Sequence, residues 1–149
     1  MAMSRRRAQT LALLFVDLDR FKPINDSLGH QVGDLVLKEV GARMQEAVRE
    51  TDTVARIGGD EFVVILEEVG GKEAIVRVTQ NILTSLQRPI AVEEHEFVVT
   101  ASIGITLYPR DARDADGLLH GADLAMYEAK QEGGNRFLFY CDAHAAVAQ

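Results

Sequence analysis

Four carboxylates stand in two short clusters. Asp17 and Asp19 end an apolar run, and Asp60 and Glu61 directly follow Gly58 and Gly59. Residues two apart on a strand face the same side, so Asp17 and Asp19 share a face if the run is extended. Clustered carboxylates offer the oxygen-only ligands that Mg²⁺ takes, with water and substrate phosphates completing the octahedron. Gly58 and Gly59 let a phosphate or ribose approach bare backbone that a side chain would block. Lys22, one of only four lysines (with Lys38, Lys72 and Lys130), comes three residues after Asp19. Taken singly, these acids end a strand or make a polar turn just as well; together with Lys22 they favour a metal–phosphate site.

Other chemistries lack their residues. No Gly-x-x-x-x-Gly-Lys-Ser/Thr occurs, which excludes a P-loop. His30, His95, His120 and His144 are scattered and fit turns or helix ends at least as well as catalysis. The single cysteine, Cys141, cannot close an intrachain disulfide or build a zinc site, a usage that fits a reducing compartment. With 23 acids against 16 bases and a net charge of −7, no basic stripe is available to nucleic acid. No apolar run approaches the ~20 residues of a membrane helix, so no membrane contact is expected. Arg5–Arg7 before Leu11–Val16 resembles a secretion signal, but the run continues into Asp17-Leu18-Asp19-Arg20 without a small-residue cleavage site. A buried strand is the better reading.

The elements that must position the acids follow from periodicity. A chain of 149 residues suits one domain. Residues 10–17 read as a central strand, and Val32, Val36, Val40 and Met44 recur at helical spacing over 31–48. Val54–Ile57 and Phe62–Leu66 flank the glycines as a hairpin. A helix is expected at 72–87, a strand at Phe97–Leu107 after a turn at 93–95, a helix at 114–132 and a last strand at Phe137–Tyr140. Strands and helices interleaving around one hairpin predict an α+β fold of the ferredoxin-like, split βαβ kind. The Ala-rich tail 141–149 reads as a helix leading into a further segment.

The ordered set Phe15-Val-Asp17-Leu-Asp19-Arg-Phe21-Lys22-Pro-Ile-Asn25-Asp26, Gly33-Asp34 and Arg56-Ile-Gly58-Gly59-Asp60-Glu61-Phe62 resembles the GGDEF domain of diguanylate cyclases. So do Ala101-Ser102-Ile103-Gly104-Ile105 and Ala122-Asp123-Leu-Ala125-Met126-Tyr127-Glu-Ala129-Lys130. The resemblance covers about residues 10–140. It implies the palm-like fold of class III nucleotide cyclases, a central antiparallel sheet flanked by helices. The activity it implies is joining two GTP into cyclic di-GMP in a transient head-to-head homodimer with Mg²⁺ or Mn²⁺.

The resemblance also implies residue roles. Asp17 and Asp60, with the Leu18 carbonyl, would hold metal, and Glu61 is a second candidate ligand or base. Gly58 and Gly59 would pass the ribose and α-phosphate, and Lys22 and Lys130 would meet the outer phosphates. Asn25 and Asp34 would read guanine, whose N1–H and N2–H₂ a carboxylate can accept. Helix capping is the alternative for those two, and a last-turn cation for Lys130. Arg49-Glu50-Thr51-Asp52 stands where the family places its product-inhibition site, with Arg77 as the helping arginine.

Two features depart from the family pattern. The usual opening helix with its Asp-x-Leu-Thr-Gly-Leu segment does not occur, so the chain is expected to be N-terminally truncated. Gly134 replaces a common arginine, a phosphate contact that Arg136 could supply. Adjoining sensor and EAL domains and a cytoplasmic location are expected of the parent protein. The competing reading is a noncatalytic GTP- or cyclic-di-GMP-binding module of a GGDEF–EAL protein.

Overall fold

The computed structural model describes residues 10–142. Arg5–Arg7, His144 and residues 143–149 of the expected tail helix lie outside the described residues. The elements are β1 (Thr10–Asp19), α1 (Phe21–Leu28), α2 (His30–Ala47), β2 (Thr53–Gly58), β3 (Glu61–Val69) and α3 (Lys72–Leu86). Then come β4 (Ile90–Val92), β5 (His95–Phe97), β6 (Thr100–Tyr108), α4 (Ala115–Gln131) and β7 (Arg136–Phe139).

Five strands form one sheet in the order β2-β3-β1-β6-β7. β1 lies at its centre, antiparallel to β3 and β6. The four strands β2-β3-β1-β6 have the split βαβ arrangement, and the expected α+β palm is the fold observed. β7 joins β6 in parallel, so the sheet is mixed rather than wholly antiparallel. Parallel neighbours need a crossover connection, and α4 supplies it.

The unbroken apolar run of β1 reflects burial on both faces. Ala12, Leu14, Val16 and Leu18 pack with Val36, Val40 and Met44 of α2 and Ile82 and Leu86 of α3. Leu11, Leu13 and Phe15 pack with Leu118, Ala122 and Met126 of α4. The strand's period of two carries this alternation on to Asp17 and Asp19, which therefore face α4. Arg43 of α2 is buried, and its guanidinium donates to the carbonyls of Ser85, Arg88 and Pro89, satisfying groups left over where α3 ends.

Two elements differ from the sequence reading. α1 was not expected: it has eight residues and buries only Phe21, too little for a periodic signal. Pro23 falls in its first turn, where a missing N–H costs nothing. The run read as one strand from Phe97 divides instead. β4 and β5 pair as a separate two-stranded sheet, and β6 starts at Thr100. Ile90 and Val92 turn into the core beside α2, a tertiary preference that no glycine or proline between 97 and 100 announces.

Candidate active site

The hairpin does lie beside β1, with Asp17 opposite Glu61 on one side and opposite Ser102 on the other. Gly59 and Asp60 form the turn, Gly58 closes β2 and Glu61 opens β3. The Leu18 N–H donates to the Asp60 carbonyl at 3.2 Å and ties the turn to β1. Arg56 holds it from the other side, Nε donating to the Gly59 carbonyl at 2.9 Å. Lys130, in the last turn of α4, reaches down to this edge. Its Nζ lies 3.3 Å from Asp17 Oδ1, 3.5 Å from Asp19 Oδ1 and 3.4 Å from the Leu18 carbonyl. Lys130 is thus both a cation at a helix C-terminus and part of the acidic site.

The edge carries more negative charge than its own cation balances. Burial pushes the Asp17 carboxyl up to about 6, Lys130 opposes that shift, and the charges of Asp60 and Glu61 add to it. Burial also raises Glu61, helped by Asp60 and Asp123. Asp19 behaves oppositely. Burial alone would raise it, but hydrogen bonds from Ser102, Thr100 and the Asn135 N–H, with Lys130 nearby, hold it below the ordinary carboxylate value.

A divalent cation fits this donor set. The Lys130 ammonium already sits against Asp17 Oδ1 and the Leu18 carbonyl, the hard oxygens such an ion prefers. Among the described residues no three His, Cys, Asp or Glu side chains form a closed metal cage. A set made of Asp17, Asp60 and the Leu18 carbonyl would leave positions for water and phosphate, as Mg²⁺ sites usually do.

Beside this edge opens a cleft of about 360 Å³ lined by Lys22, Asn25, Asp34, Gly59 and Asp60, with Phe21, His30, Leu37 and Arg56. Asp60 belongs to both the cleft and the acidic edge; Gly58, Asp17 and Lys130 do not line the cleft. Neither Asn25 nor Asp34 caps a helix, because the caps of α1 and α2 are Arg20 and Gly29. Asn25 instead rests on Gly33: a Cβ there would lie 1.9 Å from Asn25 Oδ1. Sequence reasoning assigned no role to Gly33 or Arg56. The signal for Arg56 was its place two residues before Gly58, and for Gly33 its place directly before Asp34.

A second cleft, of about 210 Å³, brings Arg49, Asp52 and Arg77 together with Glu68, Ala74 and Val78. Asp52 accepts from the Glu67 N–H at 3.0 Å and the Arg49 N–H at 2.9 Å. Both of its oxygens also take the Arg49 guanidinium, each at 3.4 Å. Arg49 donates in addition to the Glu67 carbonyl. Arg136 is engaged in its own turn, donating to the Gly134 carbonyl at 3.1 Å and to Glu132 at 3.3 Å.

Comparison with known proteins agrees with this geometry. The family model described as "Diguanylate cyclase, GGDEF domain" matches residues 1–136. The chain is 47% identical over 137 residues to the diguanylate cyclase TpbB of Pseudomonas aeruginosa, covering 91% of this chain and 31% of that protein. It is 42% identical over 144 residues to the bifunctional diguanylate cyclase/cyclic di-GMP phosphodiesterase MucR of the same species, covering 97% of this chain and 21% of MucR. The crystal structure of the TpbB GGDEF domain superposes with a TM-score of 0.90 at 41% identity, covering 93% of this chain and 86% of that one. The chain belongs to the GGDEF domain family of diguanylate cyclases. It spans between a fifth and a third of the length of these two curated relatives.

Proposed function

We propose that this domain is a diguanylate cyclase module: it binds one GTP and, facing a second copy, joins two GTP into cyclic di-GMP. The observation that carries this reading is Asp60, which stands at once in the Asn25–Asp34 cleft and beside Asp17 at the acidic edge. A nucleotide with its base between Asn25 and Asp34 thereby presents its phosphates to the acids and to Lys22.

Each residue then has a task. Asp34 accepts from the guanine N1–H and N2–H₂, and Asn25, seated on Gly33, adds a second polar contact. Gly59 leaves room for the ribose and α-phosphate, while Lys22 and Lys130 take the outer phosphates. Asp17, Asp60 and the Leu18 carbonyl would hold Mg²⁺ or Mn²⁺, which when bound neutralises phosphate charge and favours ionisation of the attacking hydroxyl. Glu61, whose carboxyl is raised by burial and by the neighbouring Asp60 and Asp123, is a second group to bind the ion or take the hydroxyl proton. Each 3′-hydroxyl attacks the α-phosphorus of the facing GTP; a P–O bond forms, the bond to the β-phosphate oxygen breaks, and pyrophosphate leaves.

The cleft of Arg49 and Arg77 is the product site in this reading, with guanidinium forks for the guanines and phosphates of cyclic di-GMP. Asp52 holds Arg49 in place. Both nucleotides are cytoplasmic, so the domain works there, attached to sensor and EAL domains. Among the described residues no helix is long and apolar enough to cross a membrane.

Incubation with GTP and Mg²⁺ followed by chromatography tests the activity: cyclic di-GMP and pyrophosphate are expected. Binding of GTP without product favours the noncatalytic module. Asp34→Ala should weaken GTP binding about tenfold to a hundredfold, the effect of losing a charged hydrogen-bond partner. Unchanged affinity with ATP still rejected would assign base reading elsewhere.

A further inference from the structure

Asp19 is the best-partnered acid of the edge and has no role in the reaction described above. Its Oδ1 accepts from Ser102 Oγ at 2.7 Å and lies 3.5 Å from Lys130 Nζ. Its Oδ2 accepts from Thr100 Oγ1 at 2.7 Å and from the Asn135 N–H at 2.9 Å. The donors come from β6 and from the turn after α4, so one carboxylate joins three parts of the chain at the end of β1. Ser102 is fully buried, and the Asp19 side chain is only 12% exposed.

Gly134 shows that this junction is tight. A Cβ at that position would stand 2.7 Å from Asp19 Oδ2, and the residue has φ +76°. The turn after α4 closes on Asp19 because a glycine is there. Asn135 extends the contact, since its side-chain oxygen accepts from Gln87 Nε2 at 2.9 Å, just beyond α3.

From this geometry we infer that Asp19 is a positioning residue, the fixed counter-charge that shares the Lys130 ammonium with Asp17 and keeps it from pairing with Asp17 alone. The inference rests on reading the edge as the phosphate end of a GTP site. Lys130 lies at nearly equal distances from Asp17 and Asp19, as a cation does between two like anions. Without the Asp19 charge, Asp17 is the one acid among the described residues left within ion-pair distance of Lys130, and the two would form a tighter pair. That pair would hold the ammonium more tightly on Asp17 Oδ1, which it already meets at 3.3 Å, and turn it away from the phosphates at the same time. Asp19 can hold the cation without following it, because three further hydrogen bonds fix its orientation.

Binding of 3′-deoxyGTP with Mg²⁺, which cannot cyclise, tests this by calorimetry on the parent, Asp19→Asn, Lys130→Met and the double variant. Asp19→Asn should lose about tenfold in affinity, in the range for removing a group that orients a ligand. In the Lys130→Met background the same change should cost almost nothing, because the group Asp19 positions has gone. A merely structural role would weaken both backgrounds equally, and that result overturns the inference, as does parent-like binding by Asp19→Asn. Thr100→Val keeps the charge but removes one of the two hydrogen bonds to Asp19 Oδ2; it should lose severalfold in affinity only while Lys130 is present. It decides the matter by the same criterion if Asp19→Asn fails to fold. If Lys130→Met and Asp34→Ala both bind like the parent, the GTP-site reading fails instead. If both weaken binding and Asp19→Asn does not, the positioning role alone is lost.

Discussion

In the arginine cleft, Asp52 receives two backbone N–H groups and an arginine fork, and its side chain is 2% exposed. At the acidic edge, Asp17 has one ammonium at 3.3 Å and two acids, Asp60 and Glu61, acting against its charge. Both regions bury a carboxylate beside a cation, but only the cleft balances its charge from within. A fully partnered buried acid is architecture, and what it offers a ligand is its partner: Arg49 remains 58% exposed above Asp52. An under-partnered acid keeps a desolvation cost that its neighbours do not repay.

The largest test of this contrast is Asp60→Asn. It removes charge from a turn that carries little of the core, so the fold should persist while cyclisation falls by on the order of 10²–10³, as when one preorganised electrostatic contact is lost. Product chromatography and a melting curve check the two halves; full activity in a folded variant would remove the metal assignment.

Arg49→Ala probes the other region. Losing a charge-assisted, bidentate contact should weaken cyclic di-GMP binding roughly tenfold to a hundredfold. GTP affinity should stay near that of the parent. Calorimetric titration with each nucleotide reads both numbers, and equal cyclic di-GMP affinity in the two proteins would sink the product site.

Asp52 and the partly buried Asp17 should also respond to removal with opposite signs. Asp52→Ala strands the N–H groups of Glu67 and Arg49 and should destabilise the protein by about 1–3 kcal/mol in urea titration. Asp17→Asn should stabilise the metal-free protein at neutral pH. Asp17 has its pKa near 6 when folded and ~3.9 when unfolded. The unfolded chain therefore loses this proton first as pH rises, stability declines across that interval, and the penalty is complete above it. The advantage of Asp17→Asn over the parent should be on the order of 1–3 kcal/mol at pH 8 and shrink steadily below pH 6. Melts in EDTA across that range check it; an advantage that grows on acidification would reverse the reading of the edge.

Much of this protein is legible in one dimension because the information is local. The continuous apolar run at 10–17, helical spacing in α2 and α4, and two glycines between apolar runs specify strands, helices and a hairpin from neighbouring residues alone. The motif acids could be expected to meet because a hairpin beside β1 has few ways to lie, and the register pairs Asp17 with Glu61. α1 escaped because eight residues with one buried side chain carry no period. The division at Val98 and Val99 escaped because what decides it is the burial of Ile90 and Val92 against α2.

The partners of each charge were not legible, because hydrogen bonds join residues far apart in sequence. Asp17 and Asp19 are equivalent as sequence, two acids on one face of one strand. Only the packed structure, bringing Thr100, Ser102 and Asn135 to one and the charges of Asp60 and Glu61 to the other, makes them opposites. The meeting of Arg77 with Arg49 likewise depends on where α3 docks. Residue type and spacing determined which groups could do chemistry here; desolvation and the positions of distant donors determined how each is charged.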